Sequence, residues 1–152
     1  MGFADLTTDV GKDIGYGIGI GILFIFLNII SPAVSMGLPP LPASVADMDK
    51  YLVVGFMAPV FEEIAFRGAL FGVLIAMAGI FPAMLVTSAV FSLYHWSVYG
   101  LGQTAGFIGA FIFSLMACWI VYKRGLGRGL LTAIIVHAIF NVYLLSRLMV
   151  VF

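Results

Sequence analysis

Residues 51–79 form one apolar run, broken only by Glu62-Glu63-Ile64-Ala65-Phe66-Arg67. The run sets the fold class. Helical from 51 to 78, it is roughly 40 Å long at 1.5 Å per residue, more than a hydrocarbon core of ~30 Å. It therefore reads as a membrane helix that tilts, kinks or projects. Two carboxylates and a guanidinium inside it are not packing residues. A charge at mid-bilayer costs roughly 2.5–3.5 kcal/mol on insertion scales, so intramembrane ionisable groups mark function by default. Glu62 and Glu63 are the only glutamates in the chain, and the only histidines, His95 and His137, also fall in apolar runs.

Composition supports the membrane reading. Charged residues make up 9% of the chain, against about 25% in soluble domains. The net charge is zero and no basic stripe appears, which argues against nucleic acid as a partner. A single cysteine, Cys118, excludes an intrachain disulfide and a cysteine-based zinc site. The eight methionines and fourteen phenylalanines suit lipid contact and inter-helix packing.

The expected fold class is all-α, a polytopic membrane helix bundle of about five spans: residues 14–30, 51–78, 81–98, 105–122 and 130–152. The whole chain, 1–152, reads as one membrane domain, with residues 51–141 as its core. Residues 1–13 read as a short polar lead, and residues 31–50 as a polar link broken by Pro39, Pro40 and Pro42. Gly15/Gly19 and Gly17/Gly21 are small-xxx-small pairs that let another helix approach. Pro59 cannot bond back to the Gly55 carbonyl and is expected to kink the second helix one turn before Glu62. Residues 123–129 form the one basic loop, with Lys123, Arg124 and Arg128. By the positive-inside rule this loop is cytoplasmic, which puts the N-terminus inside and the C-terminus outside.

Glu63 and Arg67 are four residues apart with the glutamate first, the favourable order for an ion pair. Glu62 is about 140° round the helix from Arg67 and is left to face elsewhere. Two carboxylates in two environments can divide acid and base roles, and a desolvated Glu62 is the candidate base. Phe91 and His95 share a face of the third helix, so Phe91 can position the imidazole. His137 and Asn141 share a face of the fifth, and both offer N–H groups suited to an oxyanion. Residue counting puts Glu62 and His137 at similar depth and His95 nearer the outer surface. The excess negative charge of Glu62 and Glu63 over Arg67 calls for a proton, a cationic histidine or a metal ion. Glu62, His95 and His137 offer a three-donor set for zinc.

Glu62-Glu63-xxx-Arg67, Phe91-xxx-His95 and His137-xxx-Asn141, in that order on separate helices, resemble the three signature motifs of the CPBP family. That family holds the type II CAAX prenyl endopeptidases and the bacteriocin-processing or self-immunity membrane proteins. The resemblance covers about residues 51–141. It implies that Glu62 activates a water, that His95 helps hold it, and that His137 and Asn141 form the oxyanion hole, with Glu63, Arg67 and Phe91 in support. It leaves open whether the cofactor is zinc or none.

The resemblance implies an intramembrane endopeptidase acting on a membrane-associated or lipidated peptide, with membrane lipid as its surroundings. Family members often carry more spans, which leaves oligomerisation open. A minimal chain of this kind points to a prokaryotic cell membrane. The rival functions are a non-catalytic immunity or peptide-binding protein, and a proton or ion carrier. No inverted repeat supports the carrier.

Overall fold

The structure is a computed structural model that describes residues 3–30, 48–49, 51–99 and 104–148, and side chains within 10–26, 48–49, 51–97 and 107–145. The expected 31–50 link, the turn at 100–103 and residues 149–152 lie outside or mostly outside these. The protein is an all-α membrane protein with five long helices among the described residues. They are α1 (Phe3–Ile30), α2 (51–78), α3 (Ile80–Tyr99), α4 (Thr104–Arg124) and α5 (Leu126–Leu148). Among the described residues, α4 and α5 contain stretches long and apolar enough to cross a membrane, Phe107–Arg124 and Leu126–Leu145. Large apolar side chains are widely exposed, up to Phe81 at 73% and Met77 at 77%, as lipid-facing positions require.

Two compact units divide the chain: residues 62–130, and residues 1–61 with 131–152. In the second of these, α1 packs on α5 through a narrow stripe. Asp13, Gly17 and Gly21, four residues apart, are buried while the residues beside them are exposed or, at Ile20, half-buried. A Cβ on Gly17 would lie 2.7 Å from Ile135 Cγ2, and one on Gly21 would lie 2.9 Å from Ile139. Thr132 Oγ1 donates to the Asp13 carbonyl at 3.5 Å. Only one of the two expected glycine pairs is used, because Gly15 and Gly19 face open space. The expected polar lead is also corrected. The helix begins at Phe3 rather than Ile14, since Asp13 takes a buried place on its packed stripe.

In the 62–130 unit, small residues let α3 and α4 pack closely. Ala83, Thr87, Ser88 and Ser92 on α3, and Ser114, Ala117 and Cys118 on α4, are all buried. The expected basic loop shrinks to one residue. Lys123 and Arg124 end α4, and α5 starts four residues earlier than expected, at Leu126. Gly125 makes this turn at φ +80°, where a side chain would be strained. A Cβ at Gly129 would come within 2.5 Å of Val121 Cα, so glycine there allows the two helices to touch.

Helix α2 is not uniform. Tyr51–Met57 and Ile64–Leu70 wind as π-helix, and the α-helical turn Ala58–Glu63 lies between them. Such π turns are rare and cluster at functional sites.

Candidate active site

Glu62 and Glu63 end the short α-helical turn, and Arg67 sits in the π turn that follows. All three are buried: Glu62 is 6% exposed, Glu63 and Arg67 not at all. Arg67 Nη1 donates to Glu63 Oε1 at 2.9 Å. The guanidinium also lies over two aromatic faces, Phe91 at 4.2 Å and Phe113 at 5.8 Å. Its Nε and Nη2 have no side-chain or backbone oxygen partner among the described residues, and the aromatic faces add electrostatic support to the cation. Cys118 is a further neighbour of Arg67 and Glu63.

Phe91 has Arg67 against its ring and is also packed against His95, with ring centroids 4.0 Å apart. Phe66 meets Phe91 edge-on at 5.1 Å, and Tyr94 meets His95 edge-on at 5.4 Å. His95 Nδ1 is 2.9 Å from the Phe91 carbonyl oxygen. A carbonyl only accepts, so Nδ1 carries a hydrogen and Nε2 is the nitrogen left for chemistry. Nε2 lies 3.4 Å from Glu62 Oε2.

This contact corrects the expectation that His95 sits shallower than Glu62. Residue counting assumed uniform α-helix from end to end. Seven π-helical residues precede Glu62 on α2, and α3 starts at Ile80. Both shift heights that a rise of 1.5 Å per residue would predict.

Glu62, Glu63, Arg67, Phe91 and His95 thus form one connected cluster in the 62–130 unit. His137 and Asn141 lie one turn apart on α5, in the other unit. His137 is 2% exposed. Asn141 Nδ2 donates to the Val54 carbonyl at 3.0 Å. This partner is a backbone atom, and no residue-type pattern in the sequence points to it. Phe113, as a second ring on Arg67, was equally hidden among fourteen phenylalanines.

The donor chemistry at Glu62 and His95 accommodates a metal ion. Two ligands of a tetrahedral zinc, bound at about 2.0–2.1 Å, are separated by roughly 3.3–3.4 Å. Glu62 Oε2 and His95 Nε2 have that spacing. The Nδ1 bond to a carbonyl is the usual outer-shell support of a metal-binding histidine. The same spacing lets one water donate a hydrogen to each atom.

A model of the family described as type II CAAX prenyl endopeptidase Rce1-like matches residues 46–143. No curated protein and no solved structure matches the chain.

Proposed function

The chain belongs to the type II CAAX prenyl endopeptidase Rce1-like family of membrane proteases, and from that premise we propose that it hydrolyses a peptide bond in a membrane-associated or lipidated peptide by means of a water activated by Glu62. The observation that carries this reading is the 3.4 Å approach of Glu62 Oε2 to His95 Nε2, with Nδ1 turned to the Phe91 carbonyl. A water donating to both atoms has its oxygen lone pair directed away from them, toward a substrate carbonyl. As it attacks, the new C–O bond forms and its proton passes to Glu62. The protonated Glu62 then delivers that proton to the leaving amine as the C–N bond breaks.

His137 and Asn141 are assigned the N–H donors that stabilise the oxyanion, a role supported by their shared face on α5. Arg67 and Glu63 hold the base in place through their buried pair, and Phe91 holds the His95 ring. If the enzyme uses zinc, Glu62 and His95 would hold it with His137 as third donor. The ion would polarise the carbonyl and acidify the water. The N-terminus is assigned to the cytoplasm.

The test is cleavage of a fluorogenic lipopeptide by purified protein, with a farnesylated CaaX C-terminus, its unlipidated counterpart and a bacteriocin-like peptide as substrates, each with and without chelator. Release of a C-terminal fragment by wild type and not by Glu62→Gln is expected. Binding of the peptides without cleavage would replace the peptidase by a peptide-binding protein.

A further inference from the structure

The hydrogen bond of Asn141 falls on an irregular stretch of α2. In the π register of Tyr51–Met57 each carbonyl accepts from the N–H five residues on. For Val54 that residue is Pro59, which has no N–H. The π run stops at Met57, and Pro59 lies in the α turn Ala58–Glu63. The Val54 carbonyl instead accepts from Asn141 Nδ2, at 3.0 Å. Helix α5 comes close at the same level: a Cβ on Gly55 would lie 2.9 Å from Val142 Cγ2. Val54, Gly55, Pro59, Asn141 and Val142 all belong to one unit.

We propose that Pro59 is a positioning residue for Asn141: by withholding an N–H it keeps the Val54 carbonyl open to the Asn141 amide. The inference deepens the proposed function and rests on Asn141 being an oxyanion donor. A primary amide can present either an acceptor oxygen or an N–H on a given side. With one Nδ2–H tied to Val54, the amide plane is held and the second Nδ2–H keeps a set direction. Rotated end for end, the group would present Oδ1, which repels an oxyanion. An N–H restored at position 59 would compete for the Val54 carbonyl and release the amide.

The chain contains two asparagines, Asn28 and Asn141, so protein labelled with ¹⁵N-asparagine has two side-chain amides, and Asn28 serves as reference. In Pro59→Ala the Asn141 amide protons should move upfield while those of Asn28 stay. The kcat should fall roughly ten- to a hundredfold, short of the 10²–10³ lost with a whole oxyanion donor. The KM should hold and Tm should be no lower, because alanine is the better helix residue. Unmoved Asn141 signals overturn the proposal, as does a moved signal with kcat unchanged in an enzyme that cleaves.

If Pro59→Ala does not fold, the bond is read from the other side. The sequence has two Val-Gly pairs, Val10-Gly11 and Val54-Gly55. With ¹³C-carbonyl valine and ¹⁵N-glycine, Asn141→Ala should move the Val54 carbonyl upfield and leave Val10, and an unmoved Val54 overturns the proposal. Both spectra are recorded without substrate. A wild-type protein that cleaves nothing would therefore sink the peptidase reading and leave the Pro59 result standing or falling by itself.

Discussion

His95 turns Nδ1 to the carbonyl oxygen of Phe91, 2.9 Å away and one turn earlier on α3. Because that oxygen can only accept, the bond selects the tautomer and leaves Nε2 toward Glu62. Phe91 therefore acts twice on His95, through its carbonyl on the ring nitrogen and through its own ring on the imidazole face. Phe91 also has Arg67, the partner of Glu63, 4.2 Å from its ring centroid. The two adjacent glutamates are thereby given different partners, and this division underlies the first prediction.

Glu62→Gln should abolish peptidase activity and leave the detergent-solubilised protein folded, since the isosteric amide keeps its volume and loses only its basicity. Glu63→Gln should retain activity and lower the thermal midpoint by weakening the pair with Arg67. A folded, inactive Glu63→Gln beside an active Glu62→Gln would reverse the two roles.

Arg67→Ala should cost about 3–5 kcal/mol, as expected when one partner of a buried pair is removed and the other stays charged. Glu63 would lose its 2.9 Å partner, and Phe91 and Phe113 would lose the cation above them. Expression level and thermal midpoint should fall before kcat changes. A stable Arg67→Ala with only a raised KM would instead place Arg67 in contact with substrate.

Groups that act as one catalytic unit are non-additive when removed together. His95→Gln and Asn141→Ala should each lower kcat, and the double variant should be little worse than the poorer single one. Effects that multiply would mean that the α3 histidine and the α5 asparagine do not serve the same step.

Gly17 and Gly15 separate packing from exposure on α1. Gly17→Val should lower the thermal midpoint, because its Cβ would meet Ile135 at 2.7–2.8 Å. Gly15→Val has nothing within 4 Å of its Cβ and should leave the midpoint unchanged. Equal effects in both variants would argue against the α1–α5 packing.

Orientation is tested by thiol labelling. Cys118 is fully buried, so the wild type should resist an impermeant reagent, and a Cys118→Ala background removes it altogether. In intact cells Gly100→Cys should be labelled and Gly127→Cys should not, as the three cations at 123–128 require of a cytoplasmic turn. The reverse pattern inverts the topology.

Helix number and the order of the charged motifs were legible because a bilayer penalises every polar residue that has no task. Glu62, Glu63, Arg67 and the two histidines stand out against 63% hydrophobic residues for that reason alone. The Glu63–Arg67 contact followed from their spacing, since four residues bring side chains together on one helix. Helix ends were less legible. The start of α5 and the one-residue turn at Gly125 depend on how closely Gly129 lets the chain approach Val121, a tertiary contact.

By itself the sequence determined an all-α membrane protein and which ionisable residues stand inside its apolar runs, because hydrophobicity and residue type are local properties. Only the tertiary structure decided that His95 reaches Glu62, that Phe91 lies against both Arg67 and His95, and that Asn141 bonds to Val54. Those contacts depend on helix heights, on π turns and on a backbone carbonyl with no residue-type signature. They emerge only when separate helices pack and each buried polar group must find its partner.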